Sequence, residues 1–313
     1  MATLKTSIVI PNSPKAWLLA SRPKTLTGAL IPVILALAWA YHQHALHNVT
    51  AAICCALFAG GMQIAANLIN DLFDYLKGTD REDRLGPERA CAQGWITPHA
   101  MKIGIGVSII LSCLFGLVAL AVTWQQLPYH GIELVVLGLT SVVFAFLYTT
   151  RLSYLGWGDV LVLVFFGFVP VCGTYYLQTF MLDTGILLLS LISGIAIDAL
   201  LVINNYRDRE QDRISGKRTL IVAFGERFGR YLYLVIGHIV AILILIHFTF
   251  CVTGLTAVIA GLIVAVIYLS MHIATWRQMV AIRQGKALNR ILGATSRNMF
   301  LMALMAAIVL AII

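Results

Sequence analysis

The chain has 313 residues, 60% of them hydrophobic and 12% charged, whereas an ordinary soluble domain gives roughly a quarter of its residues to Asp, Glu, Lys and Arg. One soluble core does not absorb that excess. A bilayer does, because a spanning helix needs about 20 mostly apolar residues that satisfy their own backbone hydrogen bonds.

The formal charge of +8 fits either a nucleic-acid partner or membrane topology, and the placement of the basic residues decides between them. All 22 Lys and Arg fall into five clusters, at 5–24, 77–102, 151, 207–230 and 277–297. Each gap between clusters holds two apolar runs joined by a turn-like patch, at 41–48, 123–133, 178–185 and 247–254. Such a pattern describes helical hairpins that cross and return. Because short cytoplasmic loops retain Lys and Arg, the clusters mark the inside face and the patches the outside. No nucleic-acid partner and no obligatory protein partner is inferred.

In chain order the runs predict helices near 25–41, 51–73, 101–123, 131–150, 156–177, 184–205, 229–248, 252–274 and 291–313. The expectation is an all-α membrane protein of nine transmembrane helices, amino terminus inside and carboxyl terminus outside. Residues 1–313 read as one domain, since no linker or low-complexity tract breaks the alternation. The first run has the flanks of a signal peptide, but eight further spans would anchor the chain in any case. The last apolar stretch is short and must borrow 295–298, leaving Arg297 to snorkel toward the headgroups. Six cysteines, at 54, 55, 91, 113, 172 and 251, form no CxxC and read as buried thiols. His42, His44 and His47 lie in an outside turn with no carboxylate nearby and read as solvated.

Two inside loops are longer and more polar than the rest, roughly 74–97 and 204–227, and each opens with an Asn/Asp-rich segment. On a helix, residues three and four apart share a face, so Asn67, Asp71 and Asp74 form one stripe and Asn204, Asp208 and Asp212 another. Like charges at that spacing repel unless a cation lies between them. Oxygen ligands without His or Cys point to Mg²⁺, which takes one or two carboxylates while phosphate oxygens and waters complete its octahedron. Two such clusters suggest a diphosphate held through magnesium. Lys77, Arg81, Arg84 and Arg89 follow the first stripe and Lys217 and Arg218 the second, as direct phosphate contacts require. Asp198 lies six residues inside the sixth predicted span, where an ionisable group is costly and should face a polar cavity. There it would orient a substrate, act as a base, or form a helix–helix hydrogen bond. Asp159, after Gly156-Trp157-Gly158, is a similar candidate.

Asn70-Asp71-x-x-Asp74, followed by Lys77-Gly78-Thr79-Asp80 and Asp83-Arg84-Leu85-Gly86-Pro87, resembles the first motif of the UbiA superfamily of intramembrane aromatic prenyltransferases. Arg22-Pro23-Lys24-Thr25-Leu26, Gly173-Thr174-Tyr175-Tyr176-x-Gln178, Asn204-Asn205-x-Arg207-Asp208-x-x-x-Asp212 and Gly216-Lys217-x-Thr219-Leu220 narrow the resemblance to its 1,4-dihydroxy-2-naphthoate polyprenyltransferase branch, which serves menaquinone biosynthesis. Departures exist. Gly78 stands where the wider superfamily places another Asp, and 148–154 lacks the Gly/Pro-rich insert expected after Tyr148.

The resemblance implies nine helices around a central cavity, capped by the polar loops at its cytoplasmic mouth in a bacterial inner membrane. It implies Mg²⁺ held by Asp71, Asp74, Asp208 and Asp212, and diphosphate bound by Lys77, Arg84 and Lys217. Tyr148, Tyr175 and Tyr176 are its candidates for steadying an allylic cation. Its partners would be a polyprenyl diphosphate, an aromatic acceptor and the bilayer. Alternatives are prenylation of another quinone-precursor ring, or a cation-coupled transporter. Against transport, the acidic residues cluster at one mouth, whereas transporter sites lie near the midplane.

Overall fold

The computed structural model describes residues 9–78 and 84–313, with backbone alone for Lys24, Thr149 and Thr150. Asp80, Arg81 and Asp83 of the motif region lie outside the described residues. Among the described residues no β-strand forms. Eight helical segments are long and apolar enough to cross a membrane, and Ile132–Tyr148 is a shorter apolar helix.

The elements are α1 (Pro14–Ser21), α2 (Pro23–His42), α3 (Val49–Leu76), α4 (Pro98–Thr123), α5 (Ile132–Thr150), α6 (Gly158–Val162), α7 (Val169–Thr179), α8 (Thr184–Ile214), α9 (Leu220–Phe250), α10 (Leu255–Ile282) and α11 (Asn289–Ile312). A π-helical turn, Leu163–Phe168, fuses α6 to α7 into one span. Side-chain caps set several starts: Asn48 accepts from the Ala51 amide at 2.9 Å, Asp183 from Ile186 at 2.7 Å, and Thr219 from Val222 at 3.2 Å.

Sequence periodicity placed the spans well and the polar stretch at 204–227 poorly. Most of that stretch is helix: α8 continues to Ile214 and α9 already begins at Leu220. The charged residues at 207–213 stand on the projecting turns of α8, outside any apolar window but inside the same backbone ladder. α1 was not foreseen either, because its eight residues carry no apolar run of spanning length.

Sequential helices pack side by side, α2 on α3, α3 on α4, α8 on α9, α9 on α10 and α10 on α11, and α11 returns to α2 to close the bundle. α8 is the most enclosed span. The outer face of α4 shows the converse, with Ile103, Val107, Ile110, Leu114 and Leu117 exposed at helical spacing, as a lipid-facing stripe requires.

Polar contacts sort the loops onto two ends. At one end His42 donates to the Leu310 carbonyl at 3.2 Å, Trp39 Nε1 donates to Asp183 at 3.0 Å, and Asn48 Nδ2 donates to the Val122 carbonyl at 3.1 Å. The Asn48 amide donates to Gln178 Oε1 at 2.9 Å, and the Trp39 and His247 rings meet edge to face at 4.8 Å. All four turns between the basic clusters therefore gather there. Lys77, Tyr154, Arg209, Arg218, Arg283 and Asn289 meet at the other end.

The π turn and α8 approach with almost no side chain between them. A Cβ at Gly167 would stand 2.6 Å from the Ser190 carbonyl oxygen, and one at Gly194 would stand 2.8 Å from Leu163. Ser193 Oγ donates to the Phe166 carbonyl at 2.7 Å, covering an acceptor within the wide turn. Gly167→Val forces these backbones apart and is expected to cost about 1–3 kcal/mol, read as a lower melting temperature in detergent. Unchanged melting would refute the close approach.

Candidate functional site

Both acidic segments reach the same end of the bundle, on the C-terminal turns of α3 and α8. The first stripe divides its labour. Asn67 is buried and donates to the Ser21 carbonyl at 3.0 Å and to Thr25 Oγ1 at 2.9 Å, while accepting from Gln63 at 3.2 Å. Asp71 is 1% exposed and accepts from the amides of Ala90 and Cys91 at 2.8 and 2.9 Å. Both side chains thus have protein partners, and they bind α3 to the α1–α2 junction and to the loop behind it. Asp74, one turn nearer the mouth, pairs with Arg89 at 2.5 Å. Lys77 lies beyond it, its ammonium 4.2 Å from the centre of the Tyr154 ring.

On α8, Arg207 grips its neighbour Asp208 with two bonds of 2.7 and 2.5 Å. Its third nitrogen donates to Asn289 Oδ1 at 2.8 Å, and Asn289 Nδ2 donates to the Leu85 carbonyl at 2.8 Å. The loop after the first motif is therefore tied to the second motif through one guanidinium and one amide. Asp212 sits 3.7 Å from Lys217 Nζ, and its Oδ2 is buried with no hydrogen-bond partner among the described residues. Asn204 is half-buried on the same helix.

Tyr148, near the C-terminal end of α5, lies in electrostatic range of Asp74, Asp159, Asp198 and Asp212 together. It is the side chain on which the two motifs converge. A small pocket beside it is lined by Ser153, Asp159, Asn205, Lys217 and Thr219. The Oδ1 atoms of Asp159 and Asp198 are buried without hydrogen-bond partners among the described residues.

Sequence reasoning gave no role to Arg22. It occupies left-handed backbone at φ 52°, a conformation that non-glycine residues rarely adopt, in the one-residue link between α1 and α2. Its guanidinium is pushed down to about 9, first by burial and next by Arg89, against the opposing pull of Asp71. Its Nη2 has no hydrogen-bond partner among the described residues. Arg22, Arg84 and Arg89 form a basic wall beside Asp71 and Asp74. Asn289 was also missed, and no sequence signal marks it, because its partners come from segments far away in the chain.

Two predicted residues lie elsewhere. Tyr175 donates to Asp183 at 2.5 Å and Tyr176 to Glu133 at 3.0 Å, both at the opposite end of the bundle from the acidic motifs. Their span starts at Gly158 by the mouth, and at ~1.5 Å per residue it carries them roughly 25 Å away.

The site fits a hard divalent cation only in company. Among the described residues no group of three or more His, Cys, Asp or Glu is placed to hold a metal by itself. Asp74 and Asp208 already carry guanidinium partners, whereas Asp212 keeps a buried oxygen without one. Such an all-oxygen, incompletely satisfied donor set suits Mg²⁺ arriving with a phosphorylated ligand that supplies further oxygens.

Residues 29–304 match the UbiA prenyltransferase family. The chain is 39% identical over 215 residues to the 1,4-dihydroxy-2-naphthoate octaprenyltransferase of Escherichia coli (strain K12), spanning 68% of this chain and 69% of that protein. It is 32% identical to the protein of that name from Mycobacterium tuberculosis, over 77% of this chain and 82% of the relative. A solved UbiA homolog from Archaeoglobus fulgidus bound to GPP and Mg²⁺ superposes with a TM-score of 0.64 at 14% identity, covering 95% of this chain and 100% of the other. The apo UbiA homolog from Aeropyrum pernix K1 does so at 0.63 and 15% identity, over 88% and 96%. With its apolar helices and its two acidic segments at one mouth, this integral membrane protein belongs to the UbiA prenyltransferase family.

Proposed function

We propose that the protein transfers a polyprenyl group from a polyprenyl diphosphate to 1,4-dihydroxy-2-naphthoate, with loss of the ring carboxylate, in a magnesium-dependent reaction that yields demethylmenaquinone. Relatives that carry the naphthoate octaprenyltransferase name support the substrate pair. The observation that carries the reading in this chain is the convergence of Asp74 and Asp212, from helices far apart in sequence, on Tyr148. We place the protein, as one domain, in a bacterial inner membrane. The acidic mouth and amino terminus face the cytoplasm and the carboxyl terminus the outside, an assignment supported by the basic residues gathered at that mouth.

Asp74, Asp208 and Asp212 are the residues we assign to magnesium. When bound, the ion neutralises the diphosphate and makes it a better leaving group. We assign Asn67 and Asp71 to bracing, because their oxygens and amides already have protein partners. Arg22, Lys77, Arg84 and Lys217 surround the place where phosphate oxygens would lie, and the Arg22 Nη2, which has no hydrogen-bond partner among the described residues, gains one when an anion arrives. Tyr148 offers an aromatic face to the cationic carbon that develops as the diphosphate leaves. The lipid-facing helices keep water from that carbon.

In a transfer assay with labelled polyprenyl diphosphate, Asp74→Asn and Asp212→Asn are each expected to lower kcat by at least about 100-fold, the scale of one lost electrostatic stabiliser. Wild-type turnover in both variants overturns the assignment. Asp71→Ala should instead register first as lost stability, about 1.5–3 kcal/mol for a charge-assisted bond set, in a melting curve. Tyr175→Phe and Tyr176→Phe should leave kcat unaltered. Chelation should abolish transfer and added Mg²⁺ restore it; turnover that persists under chelator contradicts the metal dependence.

A further inference from the structure

Asp159 on α6 and Asp198 on α8 lie within electrostatic range of each other on two helices that pack together. Position 158 packs against Leu201, where a Cβ would stand 3.1 Å from the Leu201 side chain, and Leu201 lies one turn from Asp198 on the same face of α8. That face continues through Asn205, Asp208 and Asp212, so Asp198 stands on the inward stripe that ends at the mouth. Its carboxyl is within electrostatic range of Asp159. Each has an oxygen removed from solvent with no hydrogen-bond partner among the described residues. Neither takes part in the ion pairs that satisfy Asp74 and Asp208.

An unsatisfied buried carboxyl oxygen is costly unless something donates to it. Had Asp198 served helix packing, a donor from a neighbouring helix would reach its Oδ1, and none among the described residues does. Tyr148 lies in range of both carboxyls and of Asp74 and Asp212 alike, and Asp159 lines the small pocket beside it together with Leu201, one turn from Asp198.

We propose that Asp159 and Asp198 together form the subsite that takes the hydroxyl groups of the aromatic acceptor. Each offers its unpartnered Oδ1 as an acceptor, so that each of two ring hydroxyls donates to one carboxyl. An acceptor with two ring hydroxyls satisfies both groups, and one with a hydroxyl blocked leaves a buried carboxyl oxygen unpaired. The subsite selects dihydroxylated rings and turns their reactive carbon toward Tyr148 and the leaving diphosphate. It rests on the transferase reading given above.

The test measures equilibrium binding of 1,4-dihydroxy-2-naphthoate to the full-length protein in detergent, with turnover measured in parallel. Asp198→Ala and Asp159→Ala are expected to weaken acceptor binding about 10- to 100-fold while the KM for polyprenyl diphosphate stays put. The wild-type protein, needing no substitution, should bind and turn over the mono-O-methyl ethers of the acceptor worse by a similar factor. Unchanged acceptor binding in both variants, equal losses for both substrates, or methyl ethers handled like the parent each overturn the subsite. Acceptor binding that depends on Asp198 in a wild-type protein with no transferase turnover would sustain the subsite and sink the reaction instead.

Discussion

Arg207 is the side chain on which the geometry of the mouth depends. Two of its nitrogens hold Asp208 and the third reaches Asn289, whose amide in turn holds the Leu85 carbonyl. Segments from α8, from the start of α11 and from the loop after α3 are thereby fixed relative to one another. Burial permits this only because the cation and anion are desolvated together and the remaining donors are used. Removing either partner leaves a charge stranded in low dielectric. The packing around it admits no slack, since a Cβ on Gly86 would stand 2.9 Å from the same guanidinium.

A division of roles within each acidic segment follows from the same electrostatics. Within the first segment the deeper carboxylate, Asp71, is met by the Ala90 and Cys91 amides. The carboxylates one turn or more nearer the mouth meet side-chain cations, as Asp74 does with Arg89 and Asp212 with Lys217.

Much of this was legible beforehand, for physical reasons that can be named. Apolar runs and basic clusters gave the spans and the two ends because a bilayer enforces both. Helical spacing put Asp208 and Asp212 on one face, and the structure keeps them there on the projecting turns of α8. Tyr175 and Tyr176 misled because neighbourhood to a motif says nothing about height along a span. Their hydroxyls serve Asp183 and Glu133 at the far end. Asn289 and Arg22 were hidden for another reason: their significance lies in tertiary partners and in a left-handed backbone angle, and neither leaves a trace in local periodicity.

The π turn at Leu163–Phe168 also sets a register. A wide turn holds one residue more than an α-helical turn, and each residue of an α-helix advances the side-chain direction by about 100°. Removing a single residue there would therefore swing α6 around its axis while α7 stayed docked on α8. Asp159 would then leave the pocket it lines within range of Asp198 and turn toward a neighbouring helix or the acyl chains. Which ring oxygens the pocket can read is in that sense decided by a single extra peptide unit, a form of selectivity that chain length alone can create or erase.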